Sequence, residues 1–367
     1  MRVPRPAARM IAPLSALSVM IAPRKKYPMA TLRKEERVDK NFMNGHCWPL
    51  PPEKKLHYTA MRPEDHNILI IDGACGTNLQ QMAIPASAWD GREGCNEILN
   101  LNAPEVIISL HRGFVEAGAM VLETDTFGAN RVVLAEYGLT NKVNEINQAA
   151  IRNARTAAGS KADVYVAASI GPGTKLPSLG HIEVAELAAA YTEQMTALIE
   201  AQVDLFIIET CQDMLQTKTA LVTCLATQER MAAHIPVMVS ITMEKSGTML
   251  VGTDIAAACA TFAPFPVLSL GLNCATGPAD MESHIRYLSR HWPGRISCVP
   301  NQGLPEVVNG RTCYPLRPDE YAQAMRRFVT EYGVSIVGGC CGTTPAHTRA
   351  LVAALQGVAP KKREAAA

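Results

Sequence analysis

The segment Val334-Ser335-Ile336-Val337 runs directly into Gly338-Gly339-Cys340-Cys341-Gly342-Thr343-Thr344. Its first part is short and lacks polar alternation, as expected of a strand covered on both faces. Its second part turns abruptly to glycine and polar groups. The same asymmetry recurs upstream. Ile68–Asp72, Met120–Thr126, Val164–Ile170, Leu205–Glu209, Val237–Thr242, Val267–Asn273 and Ile296–Pro300 are further strand candidates, making eight with Val334–Val337. Helix candidates alternate with them: Pro104–Ala117, Val143–Ala158, Glu183–Ala201, Gln212–Ala226, Ile255–Ala260, Met281–His291, Pro318–Tyr332 and Pro345–Leu355. Eight such units predict an α/β fold, a (β/α)8 TIM-type barrel over residues 61–358. An open doubly wound sheet is the runner-up, but six or seven strands and a Gly-rich first turn would suit it better. The first turn here is Asp72-Gly73-Ala74-Cys75-Gly76-Thr77, which is not G-x-G-x-x-G, and no P-loop occurs.

The 367 residues carry a formal charge of +1, which hides a division. Residues 1–60 hold 12 Lys/Arg against four acids, a surplus of +8, whereas the remainder holds 23 basic and 30 acidic residues, a balance of −7. The leader is Pro-rich and aperiodic, and is expected to be a disordered basic extension; residues 359–367 are expected to form a disordered tail. The first 34 residues are Arg-rich and acid-free, as in a transit peptide. The alternative is an over-long start, with translation beginning at Met29 or Met61, and the place of Met61 just before the first strand favours it. The mildly acidic body has no basic footprint for nucleic acid. No run of about 18 apolar residues is present to span a membrane.

In a barrel of this kind chemistry belongs at the carboxyl ends of the strands. Those ends carry Asp72, Glu123-Thr124-Asp125, Ser169, Glu209-Thr210-Cys211, Asn273-Cys274, Asn301-Gln302 and Cys340-Cys341. Eleven scattered cysteines are too few and too irregular for a secreted disulfide scaffold, so free thiols in the cytoplasm are expected. Cys224, Cys259 and Cys298 read as core residues. Cys75 and Cys211 lie at strand ends and stay ambiguous, while Cys95 and Cys313 fall in loops. Cys274, Cys340 and Cys341 end the sixth and eighth strands, where inward side chains can converge on the barrel axis. Three thiolates with one open position make a reactive zinc site, and thiolate softness favours zinc over magnesium or calcium. A vicinal disulfide between Cys340 and Cys341 is a rival that would leave Cys274 unexplained. No His closes a strand-end cluster, and neither a Ser nucleophile elbow nor H-E-x-x-H is present.

At these positions the chain resembles the homocysteine S-methyltransferase family, and most of all the homocysteine-binding zinc barrel of cobalamin-dependent methionine synthase. The matching stretches are DGACGT (Asp72–Thr77), CNEIL (Cys95–Leu99), ETDTF (Glu123–Phe127), SIGPG (Ser169–Gly173), GLNCA (Gly271–Ala275), PNQGLP (Pro300–Pro305) and GGCCGT (Gly338–Thr343). The GLNC and GGCC pair is the specific part. The resemblance implies zinc on Cys274, Cys340 and Cys341, the substrate ammonium on Asp72 and Glu209, and the substrate carboxylate on the N–H groups of Gly73 and Ala74.

The methyl donor is less directly implied. The chain has no D-x-H-x-x-G corrinoid-ligand motif, so methylcobalamin or folate chemistry would come from a separate methyl-donor protein. S-methylmethionine or another sulfonium is the alternative donor. Betaine needs an aromatic cage, and Gly128-Ala129 follow Phe127 where an aromatic would be wanted. A non-catalytic zinc-binding barrel is a further alternative, which would have no need of Asp72 and Glu209.

Overall fold

The computed structural model describes residues 61–304, 306–308 and 311–363, so the basic leader lies outside the described residues. Among the described residues there are ten strands: β1 (Leu69–Ile70), β2 (Val121–Glu123), β3 (Tyr165–Ile170), β4 (Leu205–Cys211), β5 (Val237–Ile241), β6 (Ser269–Asn273), β7 (Arg295–Val299), β8 (Glu306–Val308), β9 (Arg311–Cys313) and β10 (Ile336–Val337). Eight of them form one parallel sheet in the order β1-β10-β7-β6-β5-β4-β3-β2. A parallel bridge between Ile71 and Val121 joins the two ends. The sheet therefore closes, which settles the fold as a (β/α)8 barrel and removes the open-sheet alternative.

Local chemistry explains where the elements start and stop. Helices Pro104–Ala117, Pro318–Tyr332 and Pro345–Leu355 each have Pro in their first turn, where its missing N–H costs nothing. Gly118 and Gly333 end the first two of these in the left-handed conformation that glycine adopts without strain. The helix expected from Gln212 begins instead at Met214, because the Asp213 carboxylate caps the Leu215 and Gln216 N–H groups.

The strands sort their side chains into two cores. Ile70, Leu122, Val166, Ala168, Phe206, Ile208, Val239, Leu270, Leu272, Ile296 and Val337 face the helices. Leu69, Ile71, Val121, Tyr165, Ala167, Leu205, Ile207, Met238, Val299 and Ile336 fill the barrel interior. This is the period-two alternation of a strand with apolar neighbours on both sides. Continued along the strands, it aims Glu123, Ser169, Glu209 and Asn273 into the mouth. Midway along the barrel the residues are small, and a Cβ on Gly271 would lie 2.0 Å from the Ser297 carbonyl oxygen.

One feature differs from the sequence expectation. An antiparallel hairpin, β8 with β9, interrupts the connection from β7 to the next helix. Its three-residue strands are too short for a periodic signal. Residues 359–363 of the expected tail are among the described residues. The Lys361 N–H donates to the Val329 carbonyl at 3.0 Å, and the Arg363 guanidinium donates to the carbonyls of Trp292 and Gly294. These bonds tie Lys361 and Arg363 to the barrel. Among the described residues no helix is long and apolar enough to cross a membrane.

Candidate metal and substrate site

The three cysteines singled out by the sequence meet at the mouth. The sulfurs of Cys274, Cys340 and Cys341 all lie within 4.8 Å of one another, and Cys274 Sγ is 3.8 Å from Cys341 Sγ. The described cysteines are all free, so no vicinal disulfide links Cys340 to Cys341. Backbone geometry brings the sulfurs together. Cys274 and Ala275 have φ of 61° and 56°, a left-handed pair that is costly for residues with a Cβ. The bend is held by Cys274 N–H to the Val299 carbonyl at 3.2 Å and Thr276 N–H to the Cys274 carbonyl at 2.7 Å. The Cys340 N–H reaches the Pro300 carbonyl at 2.8 Å, and the Cys341 N–H reaches Asn301 Oδ1 at 3.1 Å. The ends of β6, β7 and β10 are thus one hydrogen-bonded unit.

The thiols share charge unevenly. Cys341 is pushed down to about 4 by S–H donation from Cys274 and Cys340. Cys340 is raised by the same two neighbours and by burial. Cys274 rises to about 12: its bond with Cys340 pulls it down, but Cys341 and burial outweigh that pull. Alone the cluster accepts one negative charge readily, and a cation is the natural complement of three. The 3.8 Å between the Cys274 and Cys341 sulfurs suits such a cation. Zn–S bonds of about 2.3 Å at tetrahedral angles place sulfurs about 3.8 Å apart.

Asn273, the residue before Cys274, organises the acidic side of the mouth. Its amide donates to Glu209 Oε2 at 3.1 Å and to Thr210 Oγ1 at 2.7 Å, and it reaches toward Cys340 Sγ at 3.9 Å. Its Oδ1 accepts from Thr210 N–H at 2.9 Å and from Ser240 Oγ at 2.7 Å. A register shift in β4 and a left-handed Thr210 (φ 55°) turn that N–H inward. Burial pushes Glu209 up to about 7, against the donation it accepts from Ser169 Oγ, with Cys274 and Asp72 adding to the rise. Asp72 is raised by burial and opposed by His111. Glu123 is raised further by burial, with Glu209 and then Asp72 repelling its charge. Asp72 raises the proton affinity of Glu209 and Glu123, and Glu209 that of Glu123, so the three acids gather negative charge at one place, an arrangement that can attract a cation.

The DGA turn follows closely on β1. A Cβ on Gly73 would come within 2.8 Å of the Phe114 ring and Thr343 Oγ1, so the turn passes tightly beneath the mouth. No acceptor among the described residues takes the Gly73 or Ala74 N–H.

The ambiguous cysteines resolve apart from the site. Cys211 is fully buried in the layer between strands and helices. Cys75 packs beside the same layer, its thiol pushed well up by burial and then by Asp125. Cys95 is buried and donates to Glu97 Oε2 at 3.6 Å. Sequence reasoning placed Asn273 and Asn301 at polar strand ends without giving them a role, and it missed Tyr314. The ring of Tyr314 lies where a Cβ on Gly342 would be, against the loop that carries Cys340 and Cys341. The strand-end positions of Asn273 and Asn301, and for Asn273 the neighbouring Cys274, were the signal for such a role, whereas Tyr314 follows a hairpin that gave no signal.

Comparison with known proteins agrees with this architecture. The chain is 44% identical over 301 residues to the methionine synthase of Mycobacterium tuberculosis, and 44% identical over 292 residues to that of Mycobacterium leprae. These stretches cover 81% and 78% of this chain but only 25% and 24% of those proteins, so it spans about a quarter of their length. The crystal structure of the homocysteine methyltransferase MmuM from Escherichia coli, metallated form, shares the fold with a TM-score of 0.64 at 24% identity. That match covers 79% of this chain and 97% of the other. Residues 69–355 match the homocysteine S-methyltransferase family along almost the whole barrel. The chain belongs to the homocysteine S-methyltransferase family, a family of methyltransferases.

Proposed function

We propose that the chain is a zinc-dependent homocysteine S-methyltransferase that forms methionine in the cytoplasm, as a homocysteine-binding module supplied with methyl groups by a corrinoid or folate-binding protein. One observation carries this reading: three sulfurs and three carboxyl groups converge on a single barrel mouth. Cys274, Cys340 and Cys341 would hold the zinc. Bound there, the metal would lower the proton affinity of a thiol taken up in its remaining position.

The protein's own groups do the rest. Asp72 and Glu209 accept charge-assisted hydrogen bonds from the substrate ammonium. The free N–H groups of Gly73 and Ala74 receive its carboxylate. Asn273 fixes Glu209 relative to the sulfurs, so that the amino-acid end and the thiol end of the substrate are held at a set separation. That matters because the thiolate is the nucleophile and must be aimed at the incoming methyl group. The likeness to methionine synthases over a quarter of their length supports a donor carried on another domain or chain, with methylcobalamin as the methyl source.

The test is methionine formation by purified protein from homocysteine with methylcobalamin, S-methylmethionine or betaine. Product with methylcobalamin supports the proposal. Product with S-methylmethionine alone replaces the donor, and no product with any of the three replaces the enzyme by a zinc-binding barrel.

A further inference from the structure

His111 lies on helix Pro104–Ala117 and is 1% exposed, and neither of its ring nitrogens has a hydrogen-bond partner among the described residues. Such groups are rare in folded proteins because burial without a partner is costly. The contrast with His347 is direct. That residue is also buried, and it uses Nδ1 with the Thr344 hydroxyl at 3.0 Å and Nε2 with the Leu316 carbonyl at 3.3 Å.

The Nδ1 of His111 stands 3.8 Å from Asp72 Oδ2, with both side chains almost fully buried. Asp72 is short of donors. Its two oxygens share one backbone N–H, that of Glu123, at 3.2 Å each, although a carboxylate offers about four acceptor positions. Its charge raises the proton affinity of Glu123 and Glu209, while burial raises that of Asp72 itself and His111 is the main group opposing the rise. One turn further along the same helix, Phe114 lies against the backbone of Gly73. The helix thus supports both the backbone and the side chain of the Asp72-Gly73 turn.

We propose that His111 is a positioning residue for Asp72, an imidazole whose unpartnered Nδ1 faces this carboxylate and serves as its donor when the substrate ammonium is bound, keeping it ionised and aimed at that ammonium. The proposal rests on the homocysteine reading above. It assigns His111 no contact with substrate and no role toward the sulfurs. Loss of the donor leaves Asp72 buried beside two other acids, where it protonates and ceases to attract a cation.

The experiment compares homocysteine with 4-sulfanylbutanoate, the same thiol acid without its amino group. Calorimetric titration of both into the zinc-supplemented full chain is repeated for His111→Phe, His111→Asn, Asp72→Asn and the double variant His111→Phe/Asp72→Asn. His111→Phe should weaken homocysteine about tenfold, the equivalent of one pKa unit, and leave 4-sulfanylbutanoate unchanged. His111→Asn, whose amide nitrogen sits near the position of Nδ1, should recover much of the loss. In the Asp72→Asn background His111→Phe should have no further effect. Equal weakening of both thiols, or additive losses in the double variant, would overturn the proposal. Equal affinity of the unaltered protein for the two thiols would overturn the ammonium reading itself. A readout that needs no variant at position 111 is the 15N spectrum of the histidine rings: Asp72→Asn should shift the His111 signals, and unchanged signals would overturn the proposal.

Discussion

Asn273→Ala tests the site's internal logic most severely, because this side chain ties the acidic half of the mouth to the cysteine half. It makes four hydrogen bonds, to Glu209, Thr210 twice, and Ser240. The Ser240 hydroxyl can rotate to another acceptor. The Thr210 N–H is fixed by a left-handed backbone and would be left half-buried without a partner. Three unreplaced bonds at about 1 kcal/mol each cost about 3 kcal/mol. With a urea m-value of about 3 kcal/mol/M, that shift lowers the unfolding midpoint by about 1 M. Freed from the amide, Glu209 and the Cys274 turn should also lose their mutual register, so zinc affinity and the KM for homocysteine should worsen together. The assay is urea unfolding followed by fluorescence, with zinc affinity measured by competition with a chelator. An unchanged midpoint together with unchanged zinc affinity would refute the idea that Asn273 couples the two halves.

Further outcomes follow from other parts of the molecule. Gly271→Ala puts a Cβ 2.0 Å from the Ser297 carbonyl inside the barrel, so soluble yield should collapse; a stable variant with an unchanged melting temperature would contradict the packing described. Glu282 is held at about 2, below its ordinary 4.5, chiefly by Arg327 and then by Tyr332. Because its pKa is depressed in the folded state, its contribution is present above about pH 4.5 and lost as pH falls toward 2. The stability gap between the parent and Glu282→Gln should therefore shrink over that window and with added salt, as read by thermal melts across pH; a gap independent of pH would contradict the assignment.

The strands were legible in the sequence because each apolar run stops at a polar cluster, and the closed barrel needed only their number and spacing. The inward face was not legible. Ile70 and Ile71 are equally apolar, yet one faces the helices and the other the barrel interior. Only the registration of neighbouring strands decides between them. The cysteine trio could be foreseen from its strand-end positions, but the left-handed Cys274-Ala275 turn that brings it together could not, since neither residue is a glycine. His111 lies within an amphipathic helix as one more core-facing position. Its significance arises from a carboxylate 39 positions away in the chain, and no local pattern records that proximity.

The central claim is that three sulfurs hold the metal on which substrate thiol chemistry depends. Its most direct test is elemental analysis of extensively dialysed protein, paired with methionine formation, for the parent and for Cys274→Ser, Cys340→Ser and Cys341→Ser. The parent should retain one zinc per chain, and each variant should lose both the metal and the activity. A variant that keeps full activity without zinc, or one that keeps full zinc without any one of these sulfurs, would contradict the account.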